Sequence, residues 1–97
     1  MSHFILSPLA QADLGDIWDY SAERFGLDRA EKYLREIQSA IELMASSPQR
    51  HRACDDIRQG YYKYLTGSHL LFFRRIDNGI DIVRILHARM DFGQHLP

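Results

Sequence analysis

Apolar residues recur along this chain in two rhythms, at helical spacing through the first half and at strand spacing through the second. Residues 3–7 read as a short strand. Ser7-Pro8 then suits a helix start, with Ser7 as N-cap, Pro8 at the first helical position and Asp13 towards the positive end of the helix dipole. Leu14, Ile17, Trp18 and Phe25 follow at helical spacing with Ala22 filling the gap, a pattern that assigns Trp18 to the core. Gly26 stands where a left-handed residue would end that helix. Asp28 with Glu31 three residues on is a capping-box pattern that restarts the chain. In the second helix Ala30, Leu34, Ile37, Ile41 and Met44 make one apolar seam, and Asp28/Lys32 and Glu31/Arg35 are i,i+4 pairs on the wet side. Ser46-Ser47-Pro48 closes it.

The short connection at Gly26-Leu27 folds the two helices back as an antiparallel hairpin. Its apolar face needs a cover, and three strands at about 56–65, 69–76 and 80–87 supply one. Thr66-Gly67 makes the first turn and Asp77-Asn78-Gly79 the second, with Gly79 expected to carry the positive φ. The order is β-α-α-β-β-β. The expected class is therefore α+β, one domain over residues 1–97, with the helical hairpin on one face of a small antiparallel sheet and the other face partly open to solvent.

Composition narrows the setting. At 97 residues the chain holds one core, and 45% hydrophobic with 26% charged residues is the balance of an ordinary folded domain. No apolar run is long enough to span a bilayer, and the first residues lack a basic, then apolar, export signal. Cys54 is the single cysteine, so an internal disulfide is excluded and a reducing cytoplasm is expected. The net charge of −1 conceals a split: residues 1–47 carry eight acidic and four basic side chains, residues 48–97 five and eight. The strand half is thus the basic half, which favours an acidic partner.

Arg58, Lys63, Arg74, Arg75, Arg84 and Arg89 are the cations of that half that an open sheet face would present; some can equally serve to solvate an edge strand. Alternation sends Arg74 and Arg75 to opposite faces. His87, two residues before Arg89 and four before Asp91, is either a general acid–base or a side chain fixing the exit of the last strand. Tyr61, Tyr62 and Tyr64 around Lys63 form an aromatic-basic run, suited to base stacking or to the core. Cys54 has no poised base nearby in sequence. His51 and Cys54 lack the second pair of a tetrahedral metal site, and the scattered glycines make no phosphate loop.

Four segments together resemble a known family. They are Leu6-Ser7-Pro8-Leu9-Ala10 leading into Asp13-Leu14-Gly15-Asp16-Ile17-Trp18-Asp19-Tyr20; Ile57-Arg58-Gln59-Gly60-Tyr61; Gly67-Ser68-His69 with Phe72-Phe73-Arg74; and Arg84-Ile85-Leu86-His87-Ala88-Arg89-Met90-Asp91. In order and spacing they are similar to the ParE-type toxins of the RelE/ParE toxin–antitoxin superfamily. The resemblance implies a cytoplasmic toxin, associated with plasmid stabilisation, that traps DNA gyrase on cleaved DNA and is neutralised in a hetero-oligomer with a ParD-like antitoxin. It implies no catalysis, no cofactor, no metal, no membrane and no sequence-specific nucleic-acid binding. Arg58, Lys63, Arg74, Arg84, His87, Arg89, Asp91 and His95 are then the candidate contacts to target or antitoxin. The RelE branch would instead imply a ribosome-dependent mRNA endonuclease, whose crowd of strand lysines is thinned here to Lys63. A toxin relic that only binds antitoxin is the remaining alternative.

Overall fold

The computed structural model describes residues 3–97; Met1 and Ser2, which open the predicted signal-free N-terminus, lie outside them. A strand β1 (His3–Leu6) leads into helices α1 (Pro8–Phe25) and α2 (Leu27–Ser46), then strands β2 (Arg52–Ala53), β3 (Tyr62–Thr66), β4 (His69–Ile76) and β5 (Gly79–His87). The strands form one sheet in the order β1-β5-β4-β3-β2. The α+β class and the helical hairpin are as the sequence implies, but the sheet is mixed: β1 runs parallel to β5.

The first turn of α1 explains that direction. Ser7 N–H donates to Ile82 O at 3.0 Å, and Ser7 Oγ donates to Val83 O at 2.7 Å while accepting from Ala10 N–H as the helix cap. The serine therefore both caps the helix and extends the β1–β5 ladder beyond the last residue of β1. Reversing β1 would separate the cap from this edge.

Local chemistry moves several expected features. Gly26, at φ 90°, both ends α1 and precedes α2 as its cap, so Asp28 lies in the first turn of α2 instead of capping it. The positive φ of the β4–β5 turn belongs to Asn78, at 63°. Gly79 is needed for closeness: a Cβ there would meet His3 O at 1.8 Å. The strand expected from residue 56 starts at Tyr62, because residues 54–60 turn. Ile57 and Arg58 N–H both donate to Cys54 O, and Gly60, at φ 84°, donates to Asp55 Oδ1.

The helix face of the sheet buries Ile17, Ile37, Ile41 and Met44 against Leu71, Phe73, Ile80, Ile82 and Ile85. Along α1 the buried positions are Ala10, Asp13, Ile17 and Ser21. Trp18 is only half-buried and belongs to neither apolar cluster, and Phe25 is exposed. The inward stripe of α1 is thus rotated towards small and polar residues, which lets the helix lie close to β5. The opposite sheet face is not open either. Phe72, Val83 and Leu86 pack there with Tyr61, Cys54 and Leu96, flanked by Ile57 and Phe92. The C-terminal segment is a lid on a second small core.

Candidate functional site

Asp13 is a charge on the inner stripe of α1, and its position decides what Arg84 does. Its Oδ2 accepts from Arg84 Nε at 2.8 Å and from the buried Ile85 N–H at 2.9 Å, while Oδ1 accepts from Arg84 Nη2 at 2.8 Å. Past Ile82 the outer edge of β5 has no strand partner, so Ser7 and Asp13 side chains take over its backbone groups. The two charged side chains are 11% and 16% exposed, a fork-to-fork pair largely out of water. Bonding to Asp13 holds the Arg84 pKa above its ordinary value despite the opposing effect of burial. Arg84 Nη1 donates onward to His95 O at 3.0 Å, joining α1, β5 and the tail.

Two more donors fasten that tail. Arg58 Nη2 donates to Gly93 O at 2.9 Å and Leu96 O at 3.0 Å, and Tyr61 Oη donates to Pro97 O at 3.0 Å. Of the expected contact residues, Arg58, Arg84 and His95 are therefore gathered round the C-terminal segment, with both guanidinium groups engaged by the chain's own oxygens. Arg74 lies apart, over the Tyr61 ring at 5.4 Å and 3.9 Å from Asp81 Oδ2. Arg75 is on the other face, over Tyr62, donating to His51 Nδ1 and Pro48 O. Lys63 pairs across the ladder with Phe72 and Arg52. Cys54 is fully buried and burial pushes its thiol pKa up, the environment of an inert thiol.

His87 stands at the sheet's other end. Its Nδ1 accepts from Arg89 N–H at 3.2 Å, so hydrogen bonding places the proton of the neutral ring on Nε2. His87 faces His69 across the β4–β5 ladder, ring centroids 5.3 Å apart and nearly perpendicular. His69 Nδ1 lies 2.7 Å from Tyr33 Oη, which also accepts from Ser68 N–H at 3.0 Å. Burial and the neighbouring His87 lower the His69 pKa, and burial raises that of Tyr33. Arg89 and Asp91 are exposed just beyond. The histidines floor a groove of about 450 Å³ between the helical hairpin and the sheet end, continuous with a hollow of about 350 Å³ that reaches Arg84 and Met90.

Sequence reasoning overlooked Asp13, Tyr33 and His69 as site residues. For Asp13 a signal existed: a carboxylate three residues after Ala10 and four before Ile17 on a packing helix requires a buried cationic partner. Among the described residues no group of three or more His, Cys, Asp or Glu is placed to hold a metal ion, and no helix is long and apolar enough to cross a membrane.

Comparison with known proteins follows the same outline. Residues 4–92 match the model of the ParE toxin of type II toxin–antitoxin systems, parDE. The chain is 53% identical over 96 residues to Toxin ParE1 of Mycobacterium tuberculosis (strain H37Rv), covering 98% of each chain. It is 40% identical over 96 residues to Toxin ParE1 of Caulobacter vibrioides, covering 99% of each. A solved structure of the chromosomal ParDE toxin–antitoxin system from P. aeruginosa superposes with a TM-score of 0.77 at 20% identity, covering 90% of this chain and 96% of that one, a likeness of fold.

Proposed function

Because the chain belongs to the ParE toxin family of type II toxin–antitoxin systems, we propose that it acts by binding DNA gyrase, stabilises the cleaved-DNA complex, and is neutralised by a ParD-like antitoxin in the cytoplasm. The observation that carries the binding reading is the state of the cations in its basic half. Arg58 and Arg84 hold the tail and Asp13, Arg75 holds His51 and Pro48 O, and Arg74 lies over Tyr61 beside Asp81. Cutting RNA needs cations converging on one phosphate with a base and an acid in reach. Side chains already bonded to the chain's own oxygens and rings are poorly arranged for that. The exposed His87, Arg89 and Asp91, with the half-buried Lys63, remain for contact with target or antitoxin. Induced expression in a bacterium tests the whole reading: growth should stop with accumulation of DNA breaks, and co-expression of a cognate ParD-like antitoxin should restore it. Growth arrest without DNA breaks would refute gyrase as the target.

A further inference from the structure

The groove at the open end of the helical hairpin has more donors than the toxin reading uses. Its lining includes Arg29 and Lys32 from α2 and the paired His69 and His87 from the sheet, against one carboxylate, Glu36; Arg29 rests 4.9 Å over the Phe25 ring, a contact that leaves its N–H edge free to donate. Arg29 and Lys32 are three apart on α2 and so share a face, each repelling the other. Tyr33 is fixed by the Ser68 N–H, so its own proton is directed to His69 Nδ1, at 2.7 Å, over Thr66 O at 3.4 Å. That leaves the His69 proton on Nε2, as in His87. Neither Nε2 has a hydrogen-bond partner among the described residues, and that of His69 is not among the buried unpaired atoms, so it opens to solvent. Two imidazole N–H groups, a guanidinium and an ammonium therefore share one concavity. At its rim Tyr20 is 60% exposed with Arg24 over its ring at 5.7 Å, an aromatic face beside cations.

We propose that this groove binds the phosphate group of an unpaired nucleotide, the oxyanion held by Arg29, Lys32 and the two histidines and the base stacked on Tyr20, without regard to sequence. An acidic peptide would satisfy the cations and the imidazole donors equally; what favours a nucleotide is the exposed Tyr20 ring beside them, since every base has a face to stack and an acidic side chain has none. The volume, about 450 Å³, suits one nucleotide. The site shares His87 with the surface proposed for target or antitoxin, and its occupant is tested on the chain alone.

Other charges around His69 fix the sign of a pH effect. Tyr33, Glu36, Lys32 and Arg29 face it from α2, His87 from β5, and Asp13 and Asp16 from α1, with Asp13 already paired to Arg84. An oxyanion favours the imidazolium, so binding takes up a proton and tightens as pH falls from about 8 to about 6. A thymidine dinucleotide is the probe, because its single diester keeps one charge across that range. The histidine ring resonances of the purified chain should shift on titration, and Arg29→Ala/Lys32→Ala, both at exposed positions, should weaken binding about tenfold through two lost charge-assisted contacts. Inorganic phosphate is the second arm. Shifts with it alone support the oxyanion site and assign it to free phosphate, whereas shifts with the dinucleotide assign it to a nucleic-acid backbone. Equal affinity in wild type and double variant, or capture of a Glu-rich peptide with neither phosphate arm binding, overturns the proposal.

Discussion

Replacing Asp13 by alanine should be among the most damaging single substitutions in the chain, although the residue is charged and lies on a helix. Its carboxylate accepts three hydrogen bonds, two from Arg84 and one from the Ile85 N–H. The variant leaves a guanidinium only 16% exposed without its counter-charge and a buried strand N–H without an acceptor. Breaking a buried pair from one side costs about 3–5 kcal/mol, and the orphaned Ile85 N–H is a separate cost of about 1–3. A domain of this size has about 5–15 kcal/mol in total, so Asp13→Ala should lower Tm by about 15 °C or more. Urea unfolding followed by circular dichroism measures the loss at constant pH. The double variant Asp13→Ala/Arg84→Met removes both charges and should cost less than the two singles combined, by about 2 kcal/mol or more. A loss below about 1 kcal/mol for Asp13→Ala, with additive costs in the cycle, would mean a solvent-screened contact and would refute the reasoning.

Three other outcomes follow from the same structure. Truncation after Asp91 should destabilise the chain to urea, because it removes Phe92 and Leu96 from the second core and the carbonyl partners of Arg58 and Arg84; Leu96→Ala alone should cost about 2–5 kcal/mol. Gly79→Ala should part β1 from β5, seen as faster amide exchange at His3 and Ile5 than in wild type, because its Cβ meets His3 O at 1.8 Å. Unfolding stability should be flat above about pH 7.5 and fall as pH drops below about 6.5, since the unfolded chain protonates His69 before the folded one does. His69→Gln should lessen that slope, and an unchanged slope would contradict the placement of the ring.

The hydrophobic rhythm made the helical hairpin and the three-strand meander legible, because both depend on local spacing: the α2 seam from Ala30 to Met44 is buried much as its period requires. What spacing does not encode is which distant groups meet. Trp18 and Phe25 sit at helical intervals, yet the packing stripe passes through Ala10, Asp13 and Ser21, because the start of α1 is tied to β5 by Ser7 and Asp13. The parallel partnership of β1 links residues more than seventy positions apart and leaves no local mark. The fastening of the tail depends on Arg58, Tyr61 and Arg84 reaching its carbonyls, which no local spacing marks. Arg84 shows the same limit: an arginine in a strand reads as a surface contact until its buried carboxylate is located.

The claim that this toxin harms by grip and not by cutting meets its most direct test in one reaction. Purified chain is incubated with gyrase, supercoiled plasmid and ATP, and the products are separated after protein denaturation. Protein-linked linear DNA should accumulate with rising toxin, while ribosome-bound mRNA under the same toxin stays whole. Intact plasmid beside codon-positioned mRNA cuts would contradict it.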